Sequence, residues 1–66
     1  MNYQKLKASM IIHGDTQLSL GEKLGISKSS MSLRMTGKLQ FSLEEAKKIT
    51  AMYELDPVDA YEIFLN

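Results

Sequence analysis

Residues 17–38, QLSLGEKLGISKSSMSLRMTGK, hold two apolar pairs, Leu20/Leu24 and Met31/Met35, each spaced so that its members share one face of a helix. Gly25 lies between the pairs. It can end the first helix at positive φ with little steric cost, and Ile26 then turns inward as the apolar residue that follows such an ending. Ser27 offers a hydroxyl to a first-turn amide and so caps a second helix over about residues 28–36. Gly21 costs about 1 kcal/mol relative to alanine inside a helix, which marks it as the point where the two helices cross too closely for a Cβ. The stretch reads as helix, short turn, helix, with Lys28, Ser29, Ser32, Leu33 and Thr36 facing away from the packed side.

A chain of 66 residues with 44% hydrophobic content makes one small domain over residues 1–66, and at that length it buries only about 60% of its unfolded surface. There is no cysteine for a disulfide and no Cys/His cluster for a metal, so helix packing, helped by dimerisation, must supply the stability. No apolar run approaches the roughly 20 residues of a membrane span, and the N-terminus lacks the apolar core of a signal peptide. A cytoplasmic protein without a membrane partner is expected. Eight carboxylates and one histidine offer no nucleophile, base and orienter at a recognisable spacing. The expectation is therefore no enzyme activity, no cofactor and no small-molecule substrate.

The formal net charge is zero, but the charges are segregated. Residues 1–43 carry six cations against two acids, and residues 44–66 carry two cations against six acids, giving +4 and −4. A basic half of this kind can release counterions from DNA while the acidic half faces away.

Upstream of the central stretch, Tyr3, Leu6, Met10 and Ile11 recur at helical spacing and predict a helix over about residues 2–13, stopped by Gly14. His13 falls in its last turn as a surface residue. Thr16 caps the next helix and places Gln17 in its first turn, where free N–H groups suit a phosphate. Downstream, Ser42-Leu43-Glu44-Glu45 is a capping box that starts a fourth helix with Leu43, Ala46, Ile49 and Tyr53 as its apolar stripe, and Phe41 is placed to staple against Ala46. Asp56-Pro57 starts a fifth over about residues 57–64. On that helix Val58, Tyr61, Phe64 and Leu65 form one stripe, with Ile63 off it. So much apolar surface on a short last helix either closes the core or meets another copy. The five methionines are expected as core fillers. The fold class expected is all-α, five short helices in one compact domain.

Thr16-Gln17, Gly21, Leu24-Gly25-Ile26-Ser27, Met31 and Thr36-Gly37-Lys38, taken together, resemble the helix-turn-helix of the Cro/CI (XRE-type) DNA-binding domains of phage repressors and bacterial regulators. The resemblance runs from Leu6 to Phe64. The chain departs from the family's habit at Asp15, often apolar there, at Thr36, often asparagine, and at Leu33, often polar or basic. The resemblance implies a lambda-repressor-like domain, a phage or prophage repressor that binds double-stranded operator DNA, with Gln17 clamping the backbone. If the third helix lies in the major groove, Lys28 can bond guanine O6 or N7 and Leu33 can touch a thymine methyl, with Ser29 and Ser32 as short polar contacts to bases. Leu33 has alternative roles in packing or in a dimer contact. Thr36, Lys38 and the backbone amides of residues 37–41 would then sit on phosphates.

One recognition helix covers few base pairs, so a weak homodimer on a palindromic operator is expected, built in part by Ile63, Phe64 and Leu65. The rival reading keeps the fold and makes it a protein-interaction module, an antirepressor or co-regulator of another repressor.

Overall fold

In the computed structural model, which describes residues 1–65, five α-helices follow one another: α1 (Tyr3–Ile12), α2 (Gln17–Leu24), α3 (Lys28–Met35), α4 (Leu43–Met52) and α5 (Pro57–Phe64). Among the described residues there is no strand, and the domain is compact, 29 × 23 × 20 Å.

Each helix begins where a short polar side chain can take a first-turn amide. Asn2, Thr16, Ser27, Ser42 and Asp56 accept from the backbone N–H of Lys5, Ser19, Ser30, Glu45 and Asp59. At Thr16 and Ser42 the third residue reaches back as well, Ser19 Oγ and Glu45 Oε1 accepting from the cap's own amide at 2.9 Å in both cases. Between α2 and α3, Gly25 sits at φ +71°. Its amide donates to the Glu22 carbonyl at 3.1 Å and the Ile26 amide to the Gly21 carbonyl at 2.8 Å, the paired bonds of a Schellman ending.

The core is Leu6 and Met10 of α1, Leu20 and Leu24 of α2, Met31 and Met35 of α3, and Ile49, Tyr53 and Ile63 from the C-terminal half. Ile11, on the stripe expected for α1, is exposed, as is Leu43 on that expected for α4. Phe41 meets the Phe64 ring edge-on, centroids 6.1 Å apart.

The C-terminal helix corrects the expectation more deeply. Ile63, placed off the apolar stripe and assigned to a dimer contact, is 0% exposed and belongs to the core, whereas Val58 is 65% and Leu65 75% exposed. The reason is α1. Lys5 Nζ pairs with Asp59 at 2.8 Å and with Glu62, and the Asn2 amide donates to the Ile63 carbonyl at 3.0 Å. Residues 59, 62 and 63 share one face of a helix, so anchoring the two acids on Lys5 turns Ile63 inward and Val58, Tyr61 and Leu65 outward.

Truncating Ile63→Ala should therefore cost about 2–5 kcal/mol of folding stability through lost burial and a cavity, while Val58→Ala should stay within about 0.5 kcal/mol of wild type. Urea unfolding of both variants checks this, and equal small effects would take Ile63 out of the core.

Candidate nucleic-acid interface

The α2–α3 unit is held at one tight point. A Cβ built on Gly21 would lie 3.2 Å from Met31 Cγ, closer than ordinary van der Waals contact, and 3.4 Å from the Ile26 carbonyl oxygen, at its edge. Met31 is fully buried against this glycine, and that fixes the rotation of α3 about its own axis. With Met31 and Met35 inward, Lys28, Ser29, Ser32, Leu33 and Thr36 are all exposed, as the spacing predicts.

A second brace comes from Arg34. Its guanidinium forks onto Glu45 of α4, Nε to Oε1 at 3.0 Å and Nη2 to Oε2 at 3.2 Å, and Nη1 donates to the Ser30 carbonyl at 3.1 Å. Burial works against ionisation of Glu45, but the Ser42 amide and Arg34 outweigh it and hold the carboxyl below its usual pKa. Arg34 is therefore a strut between α3 and α4.

The entry to α2 is anchored by Asp15, a buried carboxylate. It accepts from Lys23 Nζ at 2.8 Å, Tyr53 Oη at 2.6 Å and Ser19 Oγ at 2.8 Å, and the His13 ring stacks on Tyr53 at 4.5 Å. Lys23 and then Tyr53 bring the Asp15 pKa down from the usual 3.8 to about 2, against the desolvation. Burial, followed by the Asp15 charge, raises that of Tyr53. The position where the resembling family often has an apolar residue is thus filled by a fully bonded acid that ties α2 to α4.

These pairings thin out the basic half. Of its six cations, Lys5, Lys23 and Arg34 are held by acids, which leaves Lys7, Lys28 and Lys38 without an ion-pair partner among the described residues. Gln17 and Lys28 line one shallow hollow with Leu18, Gly21, Ile26 and Met31. Gln17 and Lys7 line another with Thr16 and Met35. Lys7 was not singled out by sequence reasoning. Its signal was only that of an exposed lysine on α1, and its place beside Gln17 depends on how α1 packs on α2 and α3.

The loop after α3 is less open to phosphates than expected. The amides of Gly37, Lys38 and Leu39 donate to the carbonyls of Arg34, Leu33 and Leu33 at 3.3, 3.0 and 3.1 Å. The Thr36 hydroxyl is turned back on α3, 3.0 Å from the Ser32 carbonyl. Its one proton is taken, so the Thr36 hydroxyl as placed offers a phosphate no donor, and the lysine side chain of Lys38 is what the loop presents. Gly37, at φ +82°, carries this turn past Tyr3, whose Oη would be 3.1 Å from a Cβ there.

Among the described residues no group of three His, Cys, Asp or Glu side chains is arranged to hold a metal ion, and no helix is long and apolar enough to cross a membrane.

Asp15 predicts acid behaviour with a definite sign. Its folded pKa lies below the unfolded value, so its contribution to stability is present above about pH 4 and is lost as pH falls towards 2. Asp15→Asn should be less stable at pH 7 and lose less stability than wild type between pH 4 and pH 2. Thermal melts across that range check it, and parallel pH profiles would show that the anchor does not contribute.

Compared with models of known families, with characterised proteins and with solved structures, the chain matches none.

Proposed function

We propose that the chain is a sequence-specific DNA-binding regulator in which α2 and α3 act as a helix-turn-helix of the lambda-repressor-like kind, with α3 in the major groove. The observation that carries this is the outer face of α3. A short helix rotationally locked by Gly21–Met31 and Arg34–Glu45 exposes Lys28, Ser29, Ser32 and Leu33 together. Ser29, Ser30 and Ser32 in one turn lower helix propensity, and the short hydroxyls of the exposed pair, Ser29 and Ser32, would let the helix approach base edges closely. Lys28 is the candidate guanine contact and Leu33 the candidate thymine-methyl contact. Gln17, Lys38 and Lys7 surround α3 as phosphate contacts, with Thr36 the weakest member of that set. Such a protein acts in the cytoplasm as a phage or prophage repressor, occluding a promoter as a weak homodimer on a palindromic operator.

The interaction-module reading is favoured by one observation, the loss of three of the six N-terminal cations to internal ion pairs. Salt dependence separates the two, because a DNA binder loses affinity steeply with salt.

Lys28→Ala should weaken binding to the cognate site by about 1–3 kcal/mol and relax preference at one base pair. Lys38→Ala should weaken cognate and random DNA alike and lower the slope of log affinity against log salt by about 1. Fluorescence titrations at several salt concentrations read both. An equal loss on cognate and random DNA would make Lys28 a phosphate contact, and an unchanged slope would leave Lys38 a solvated loop residue.

A further inference from the structure

An apolar groove of about 480 Å³ runs between α4 and α5. Leu43, Ala46 and Ala51 line it from α4, and Ala60, Tyr61 and Leu65 from α5. Leu43 is 72% and Tyr61 57% exposed, so the groove is open to solvent. Lys47 is the one charged side chain in its lining. We propose that this groove binds a straight-chain carboxylate, the apolar chain lying between the two helices and the carboxylate held at the rim by Lys47.

Size and hydrogen bonding both favour such a ligand. Sites for small molecules occupy about 300–1,000 Å³ and are mostly apolar, with a few polar groups that fix orientation. At about 30 Å³ for a water-sized group, the groove holds on the order of fifteen non-hydrogen atoms, the size of decanoate or dodecanoate. The row from Leu43 to Ala51 gives it a length of about 12 Å along α4. Thr50 also lines the groove, but its hydroxyl donates to the Ala46 carbonyl at 2.7 Å, so its proton is taken. What lies along the groove must then be apolar, because a polar group buried without a partner is costly. The side-chain donors left in the lining are Lys47 and the Tyr61 hydroxyl, both on exposed residues. A carboxylate has two oxygens to accept from them.

Charge selects the head group. Lys47 takes part in no ion pair among the described residues, and no acid is in the lining. A lysine on a helix lays its stem along apolar surface and keeps its ammonium in water, which suits an amphiphile with an anionic end. A cationic amphiphile of equal length would gain the same burial and meet the wrong charge. Val58 is outside the lining, so a chain bound here leaves part of the outer strip of α5 uncovered.

The site is independent of DNA binding and is tested without it. Amide NMR shifts of the wild-type chain are followed as dodecanoate is added below its aggregation concentration. The shifts should saturate and centre on residues 43–51 and 57–65, with a dissociation constant between micromolar and millimolar. Decanoate should bind on the order of fivefold more weakly, having less chain to bury, and dodecyltrimethylammonium on the order of tenfold more weakly. Lys47→Glu should reverse the preference between the two dodecyl compounds. Ala51→Trp, at an exposed position, should block both with an unchanged melting temperature. Shifts that do not saturate, or that centre elsewhere, overturn the proposal, as does equal binding of the anionic and cationic compounds. So does a preference that Lys47→Glu leaves unchanged. Lining amides that move with protein concentration but not with dodecanoate give the groove to a second copy and overturn it as well. Uptake of anionic lipid vesicles without uptake of free dodecanoate overturns it in favour of a membrane contact. The two dodecyl compounds on the wild-type chain decide the matter even if a variant fails to fold.

Discussion

Everything that α3 can present depends on how closely it lies against α2, and that approach is set by a missing methyl group. A Cβ at position 21 would lie 3.2 Å from Met31 Cγ, so the buried methionine would have to give way by a few tenths of an ångström. A glycine in mid-helix lowers local stability by about 1 kcal/mol, yet here it permits a fully buried methionine at the crossing. The consequence is orientational. A buried Met31 and a buried Met35, one turn apart, leave α3 a single rotational setting, and the polar face is then whatever remains. Arg34 holds the other end by a fork that a lysine could not reproduce, since its planar guanidinium meets both oxygens of Glu45.

The same economy shapes the electrostatics. A count along the chain divides it into a basic and an acidic half, but folding brings opposite charges together. Lys5 of the first helix meets two acids of the last, and Arg34 meets an acid of the fourth. Half of the N-terminal cations serve as braces. Those left over, Lys7, Lys28 and Lys38, are few, which on the proposed reading limits how many phosphates one copy can neutralise and hence how much affinity for DNA can come from counterion release.

The local features were legible because their causes are local. The caps at Thr16, Ser27, Ser42 and Asp56 each involve a hydrogen bond to the amide three residues on, and the Gly25 ending is complete within a few residues. The outward set on α3 followed from two methionines at helical spacing. What could not be read were features whose cause lies across the chain. Asp15 looked like a departure from an apolar position; its nearby partners Lys23 and Ser19 are in the same stretch, but the third, Tyr53, comes 38 residues later and completes the bonding that lets an acid be buried there. The face of α5 was misread because this helix is apolar on two sides, and periodicity alone cannot choose between them. The choice is made by Lys5, 57 residues from Glu62. Thr36 and the amides after α3 looked available to a phosphate, but the helix end uses them itself.

A helix that is apolar on both sides also bears on how a chain of this size could work. One side of α5 closes the core through Ile63, and the other is left to solvent, where an extended apolar strip is a liability unless something covers it. The weak homodimer of the proposed function would cover it without demanding a permanent dimer. On the proposed reading, two copies held on neighbouring half-sites meet at high effective concentration, so a contact too weak to pair them in free solution still counts on DNA. With few unpaired lysines per copy, the second copy would contribute as much to site occupancy as any single base contact, and occupancy would rise more steeply than linearly with protein concentration. On the proposed reading, the small cationic surface on α3 and the uncovered apolar strip on α5 are therefore linked: each copy binds DNA weakly enough that its partner matters.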